Sequence, residues 1–341
     1  MVRTLYFAGR MKPLFSLLFI ALFAGAQAQL LPSFGNSRTG TAGMQFLKIG
    51  MDARSMGMAG AVAAAPADAS TMYWNPGGIT QIDSGTRWNI TLNHGNYFAS
   101  TSLNQAAAVY RVKYGYWGVQ VASFQSASMK ETTEFQPMGT GRTFRFSDVL
   151  AGVTYAQALT DNFSFGISTK YANESFAGIS THNVLFDLGL YYNVHVRNTR
   201  FAAVVSNFGI NVKPHGEITA LRLTGNTELT DFSAYSAPSM FRVGIATDIY
   251  RKGDHALTGM FQLNHPGDNN ETFALGAEYL YKNLLAARTG YEFGADEKGW
   301  PAFGLGVKLP RRQGGLRIDY AWEYKQVFGA VHRFGIGIVL K

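Results

Sequence analysis

Cysteine is absent from all 341 residues, which excludes disulfides, thiolate metal sites and a lipid-modified N-terminal cysteine. Charge is scarce as well. Asp, Glu, Lys and Arg make up 15% of the chain, against roughly 25% in an average soluble domain. After residue 28 no apolar run reaches the roughly 18 residues that a membrane-crossing helix needs. What the chain holds instead is glycine (38 residues) and aromatics (14%), at a mean hydropathy of -0.03. Few charges and many rings at neutral hydropathy point to β structure with one apolar and one polar face.

Several chemistries drop out for want of a motif. The seven histidines (His94, His182, His195, His215, His255, His265 and His332) are scattered, with no H-E-x-x-H pair, so no metal site is expected. No G-x-S-x-G elbow is present, and no catalytic residue or cofactor is expected. "FGLGVK" and "FGIGIV" lack the strand-to-helix setting of a phosphate loop. The densest basic cluster, Lys308, Arg311, Arg312 and Arg317, surrounds a Pro and two Gly and reads as a solvated turn; nucleic acid is not an expected partner.

The first 28 residues have the form of a secretory leader. Arg3, Arg10 and Lys12 precede the apolar run Leu14 to Phe23, and Ala26-Gln27-Ala28 offers a small-residue cleavage site. With those three cations removed from 30, 27 basic and 22 acidic residues remain, dispersed along the chain. An exported protein is expected.

Beyond the leader, apolar and polar residues alternate with period 2, as in a strand that shows alternate side chains to two faces. In "LRIDYAWEYK", Leu316, Ile318, Tyr320, Trp322 and Tyr324 share one face, while Arg317, Asp319, Ala321, Glu323 and Lys325 share the other. The same split places strands near 87–98, 104–113, 115–126, 143–158, 161–175, 182–196 and 199–209. It continues at 238–250, 254–265, 270–282, 284–294, 299–309, 314–326 and 330–341. Fourteen is an even number, and each strand is long enough to cross a bilayer when tilted. Links after even strands are tight, and the two longest links, 127–142 and 210–237, follow odd ones. That asymmetry belongs to an outer-membrane barrel. A soluble β-sandwich also alternates, but it would show a more charged exterior. Aromatics near strand ends (Tyr116, Trp117, Tyr191, Tyr192, Tyr250, Tyr279, Tyr281, Trp322 and Tyr324) read as interfacial girdles against outer-membrane lipid.

Residues 29–86 do not alternate and are rich in Ala, Gly and Met. Small residues allow close backbone approach, which suits an insert, or hatch, inside the barrel formed by 87–341. Asp68 and Ser70 are placed to cap a short helical turn through Tyr73. Tyr73 and Trp74 then lead into Asn75-Pro76-Gly77-Gly78, where Pro fixes φ and Gly permits positive φ. Two bulky rings beside a turn require a receiving pocket, and the lumen is the expected one.

Two stretches carry a family resemblance: "FLKIGMDARSMGMAGA" (Phe46 to Ala61) and "DASTMYWNPGGI" (Asp68 to Ile79). Together they resemble the FadL-like outer-membrane barrels, and more closely the PorV/PorQ branch from Bacteroidota-type bacteria. Gly77 stands where that family more commonly has Ala. The resemblance implies an all-β fold, a fourteen-stranded antiparallel transmembrane barrel with an N-terminal hatch in the lumen of a Gram-negative outer membrane. It implies two tasks. One is a binding or anchoring role with type IX secretion components or cargo signal domains. The other is passage of hydrophobic or small amphipathic solutes through the barrel and out sideways.

The polar face carries the candidate site. By strand phase Lys170, Asp187, Arg242, Asp248, Glu278, Arg288, Glu292, Lys308, Arg317, Asp319, Glu323 and Lys325 point into the lumen. Both signs are present, so a strongly ion-selective ring is not expected. A lattice that fills the lumen and holds the hatch is the first expectation for them, and a lined solute path is the second.

Overall fold

The structure, a computed structural model, describes residues 39–82, 85–134, 136–220, 227–295, 299–311 and 314–341. The expected leader at 1–28 lies outside them. Fourteen strands close into one antiparallel barrel, as the alternation predicts. They are β1 (Trp88–Asn96), β2 (Thr101–Val112), β3 (Gly115–Ser126), β4 (Phe146–Ala158) and β5 (Phe163–Phe176). Next come β6 (Ile179–Val194), β7 (Thr199–Gly209), β8 (Met240–Lys252), β9 (His255–Pro266) and β10 (Thr272–Tyr281). The last four are β11 (Leu285–Phe293), β12 (Ala302–Arg311), β13 (Gly314–Lys325) and β14 (Gly329–Leu340). Closure comes from β1 on β14, with Trp88 opposite Leu340 and Asn96 opposite His332. Closure leaves no strand edge unpaired, which a hydrocarbon surround demands.

Boundaries shift where turn residues keep extended backbone. The tight link before the strand expected at 254–265 shrinks to Gly253 and Asp254, because β8 runs to Lys252 and β9 starts at His255. The strand read as 299–309 is displaced to Ala302–Arg311. Links after even strands hold two to four residues, whereas those after β3 and β7 are the longest. The two ends are therefore a short-turn end and a long-loop end.

Along β6 the pleat decides every side chain. Leu188 and Leu190 face outward at 53% and 45% exposure, while Asp187 and Gly189 are buried. Repeated around the barrel, this makes an apolar outer wall suited to lipid rather than water. At the short-turn end Trp88 packs on Tyr110 (ring centroids 4.5 Å) and Trp117 on Tyr155 (5.0 Å), as in an interfacial girdle. Two expected girdle members are corrected. Tyr191 is buried and Tyr116 packs against a buried inner cluster, because their neighbours Tyr192 and Trp117 take the outward positions.

Inside, residues from Met44 to Ile82 are largely buried against the wall's inward side chains. They form short pieces: a 3-10 turn at Gln45–Lys48, α1 (Ala53–Met56), α2 (Thr71–Trp74) and a second 3-10 turn at Pro76–Gln81. Each is too short to persist alone, so packing in the lumen holds it. The turn through Tyr73 is capped differently from the expectation. Ser70 makes no cap bond; Asp68 instead accepts from the Ser70 N–H at 2.7 Å and its hydroxyl at 2.5 Å.

Candidate functional site

The lumenal segment is fixed by its own polar residues before it meets the wall. Asp52 does two jobs: one carboxylate oxygen accepts from the Ser55 N–H at 2.8 Å and caps α1, and the other accepts from the Trp74 indole N–H at 2.7 Å. The Trp74 ring lies close over Gly50 and Gly60, and the Arg242 guanidinium stands 5.5 Å from it. Gly60 has φ +74, and a Cβ there would come within 2.9 Å of the ring. The Tyr73 hydroxyl lies 2.8 Å from the Leu47 carbonyl and 2.7 Å from that of Ile49. Burial pushes this phenol well above its usual range, so it stays a neutral donor.

Asn75 turns the chain back to the wall. Its side-chain oxygen accepts from Gly77 N–H at 2.9 Å, and its amide donates to Ala63 at 3.0 Å and to Leu190 at 3.1 Å. The two glycines that follow do not adopt positive φ, contrary to the turn expected there. Gly77 is required by proximity: a Cβ would sit 2.5 Å from the Gly189 carbonyl oxygen. The wall reciprocates with glycines of its own. Gly166 and Gly189 meet Pro76, Gly276 and Gly290 meet Met58, and Gly244 meets Ala63 and Ala64. Backbone therefore rests on backbone over much of the contact.

Of the twelve ionisable residues expected in the lumen, eight are buried and four (Glu292, Lys308, Arg317 and Lys325) are half-buried, and they sort into groups. Four of them, on β10, β11 and β13, form one chain of ion pairs with two residues from the segment. Arg54 contacts Glu278 at 3.0 Å, Glu278 contacts Arg288 at 2.6 Å, and Arg288 contacts Asp319 at 2.7 Å. Asp319 then pairs with Arg317 at 2.5 Å, and Arg317 pairs with Asp68. Burial works against the Arg54 charge, but Glu278 and Asp68 overcome it and raise its affinity for the proton. Burial likewise pushes the Asp68 carboxyl up, yet Arg317 and Arg54 outweigh it and hold it at about 2.

A second group sits where the wall is irregular. The β6–β7 register shifts between Phe186 and Leu188, and Asp187 accepts from the Asn207 N–H at 2.8 Å. Lys170 reaches Asp187 at 2.7 Å and Asn207 at 2.6 Å. Asp248 marks the other shift, in β8, and binds Arg200 at 3.2 Å and Arg251 at 2.9 Å. Glu323 pairs with Arg333, and Glu292 accepts from Thr272 at 2.7 Å. Lys308 reaches Asn283 at 3.3 Å, and Lys325 lines a cavity.

The twelve omit Arg333, although phase puts it on the polar face of the last strand with Gly335 and Gly337. Sequence phase missed Asp148 and Glu174, because their inward neighbours Phe146, Leu150 and Ala172 remove the polarity contrast. Asp52, Arg54 and Asp68 gave no periodic signal at all.

Two cavities flank the segment. At the long-loop end, about 600 Å³ is bordered by Phe46, Tyr97, Phe98, Phe124 and Phe146, with Asp148, Glu174 and Lys325 among the polar lining. At the short-turn end, about 410 Å³ is bordered by Asp68, Lys308, Arg311, Arg317, Leu309 and Val339. They share no lining residue; the segment borders the first through Gly43, Met44 and Phe46 and the second through Ala67, Asp68 and Ile82.

The barrel is similar to solved channels of the FadL type. The toluene transporter TbuX of Ralstonia pickettii matches 85% of this chain and 97% of its own, at 13% identity and TM-score 0.58. The toluene transporter TodX of Pseudomonas putida matches 85% and 96%, at 12% identity and TM-score 0.57. A Pseudomonas aeruginosa FadL homologue matches 85% and 98%, at 10% identity and TM-score 0.53. No protein-family model matches the chain, and no curated protein matches it in sequence. The class defined is therefore a FadL-like, fourteen-stranded antiparallel barrel.

Proposed function

We propose that this protein is an outer-membrane channel, without catalytic activity, that admits small apolar and amphipathic solutes, monoaromatic compounds among them. The observation that carries the reading is the ring-bordered cavity of about 600 Å³ at the long-loop end, large enough for a single-ring solute. The similarity in fold to two toluene transporters supports the same reading. In this account residues 1–28 are removed on export to the outer membrane of a Gram-negative cell. Residues 29–86 are the hatch, and 87–341 are the wall. The long-loop end faces outward and the short turns face the periplasm. Passage requires the hatch to yield, since its residues border both cavities.

Uptake of radiolabelled toluene by intact cells at limiting concentration tests this. A strain lacking the gene takes up toluene more slowly, and the restored gene recovers the rate. Equal uptake in both strains rejects the channel.

A second reading rests on the two N-terminal stretches, Phe46 to Ala61 and Asp68 to Ile79, with their PorV/PorQ resemblance. It makes the barrel a binding or anchoring component for type IX secretion in a Bacteroidota-like cell. Co-purification of secretion components and a secretion defect on deletion favour it over the channel.

A further inference from the structure

One wall of the long-loop cavity is not explained by an uncharged hydrocarbon. Asp148 on β4 and Glu174 on β5 stand directly opposite each other in the ladder, and both line the cavity. Glu174 is half-buried, near the Met44 backbone and the Tyr235 side chain. Asp148 is 0% exposed, and neither carboxylate oxygen has a hydrogen-bond partner. Its neighbour across the ladder is a second carboxylate, Glu174, not a cation. A buried carboxylate without cation or donor is among the costliest arrangements a protein can hold, and buried charges are as a rule paired.

The surroundings say what kind of cation fits. The same cavity carries the rings of Phe46, Tyr97, Phe124 and Phe146; of its own cations, Lys48 is held by Asp268 and Arg333 by Glu323, and Lys325 stands at the border. Aromatic faces attract a cation and accept an apolar body, so the site suits an organic cation. A hard metal ion asks for about six oxygen ligands, and no group of three metal-ligating side chains occurs among the described residues.

We propose that the long-loop cavity binds an organic ammonium bearing an aromatic or aliphatic body, with Asp148 as its counter-ion and the rings holding the body. The inference rests on the channel reading in taking this cavity as the place where solute first binds. Among the apolar and amphipathic solutes of that reading, it singles out amphipathic amines.

Calorimetry on the full-length protein in detergent, with benzylammonium and benzyl alcohol as probes, tests it. The two have the same ring and differ in the charged head. Wild type binds benzylammonium about tenfold or more tightly than the alcohol, the gain of one charge-assisted contact. Asp148→Asn keeps the side-chain shape and brings the two affinities to within about twofold. Equal affinities in wild type, no binding of either, or a preference that survives Asp148→Asn overturns the proposal. If Asp148→Asn does not fold, as judged by loss of heat-modifiable migration, the wild-type comparison decides alone. Cells that take up toluene through a protein without ammonium preference refute the amine site and leave the channel standing. An ammonium preference without uptake of either solute refutes the channel and leaves the site.

Discussion

The Asn75 amide donates to the backbone carbonyl of Leu190 at 3.1 Å, although 115 positions separate the two residues. The same side chain holds Ala63 and Gly77, so one residue ties the lumenal turn to itself, to its own segment and to the wall. Asn75→Ala removes all three contacts at a fully buried position and orphans their partners, at a cost of roughly 1–3 kcal/mol. The expected result is faster proteolysis within residues 40–80 with the barrel still heat-modifiable. Unchanged proteolysis would show that the turn is held elsewhere.

Wall glycines carry the second prediction. A Cβ at Gly290 would overlap the Met58 backbone, which cannot step aside as a flexible side chain can. At Gly337 the nearest atom lies at an ordinary 3.5 Å. Gly290→Ala should destabilise by about 1–3 kcal/mol, whereas Gly337→Ala stays within about 0.5 kcal/mol. Thermal unfolding of the two variants beside wild type reads the difference.

Glu278 receives Arg54 from the segment and Arg288 from the wall, with all three side chains largely buried. Glu278→Gln leaves two guanidiniums facing each other and should cost about 3–5 kcal/mol, more than any exposed pair. Arg142→Gln, which breaks the exposed pair with Glu131, should fall within about 1 kcal/mol. The variants separate in thermal unfolding and in the frequency of single-channel openings, where Glu278→Gln opens more often.

Acid should loosen the same chain at its other end. Asp68 titrates at about 2 in the folded protein, below its ordinary 3.8, so its contribution is fully present above about pH 4. That contribution, on the order of 2 kcal/mol, is lost as pH falls from about 4 through 2. Segment proteolysis by an acid-active protease should rise across that window in wild type. Asp68→Asn should already be loose at pH 7 and show a smaller rise.

Strand alternation carried most of the fold. Outward Leu188 and Leu190 against inward Asp187 and Gly189 is a contrast that one strand states by itself, and fourteen such strands imply closure. Lumen ionisables on those strands were legible for the same reason. Their partners were not. Arg54 and Asp68 lie in a segment without periodicity, and their pairing with Glu278 and Arg317 depends on how that segment enters the barrel. Gly77 and Gly78 mark a close approach that looks, in sequence, like a positive-φ turn. Asp148 was masked because phenylalanine and leucine share its face.

The central claim is that solute passes when the lumenal segment yields, and the absence of native cysteine allows a direct test. A Cβ at Gly244 would lie 3.3 Å from that of Ala63, close to the separation a disulfide spans. Toluene uptake should be measured in cells carrying the Ala63→Cys/Gly244→Cys pair, oxidised and then reduced. The account predicts that the oxidised pair stops uptake and that reduction restores it to the rate of the unlocked protein. Uptake that continues at the wild-type rate with the bridge formed would contradict it.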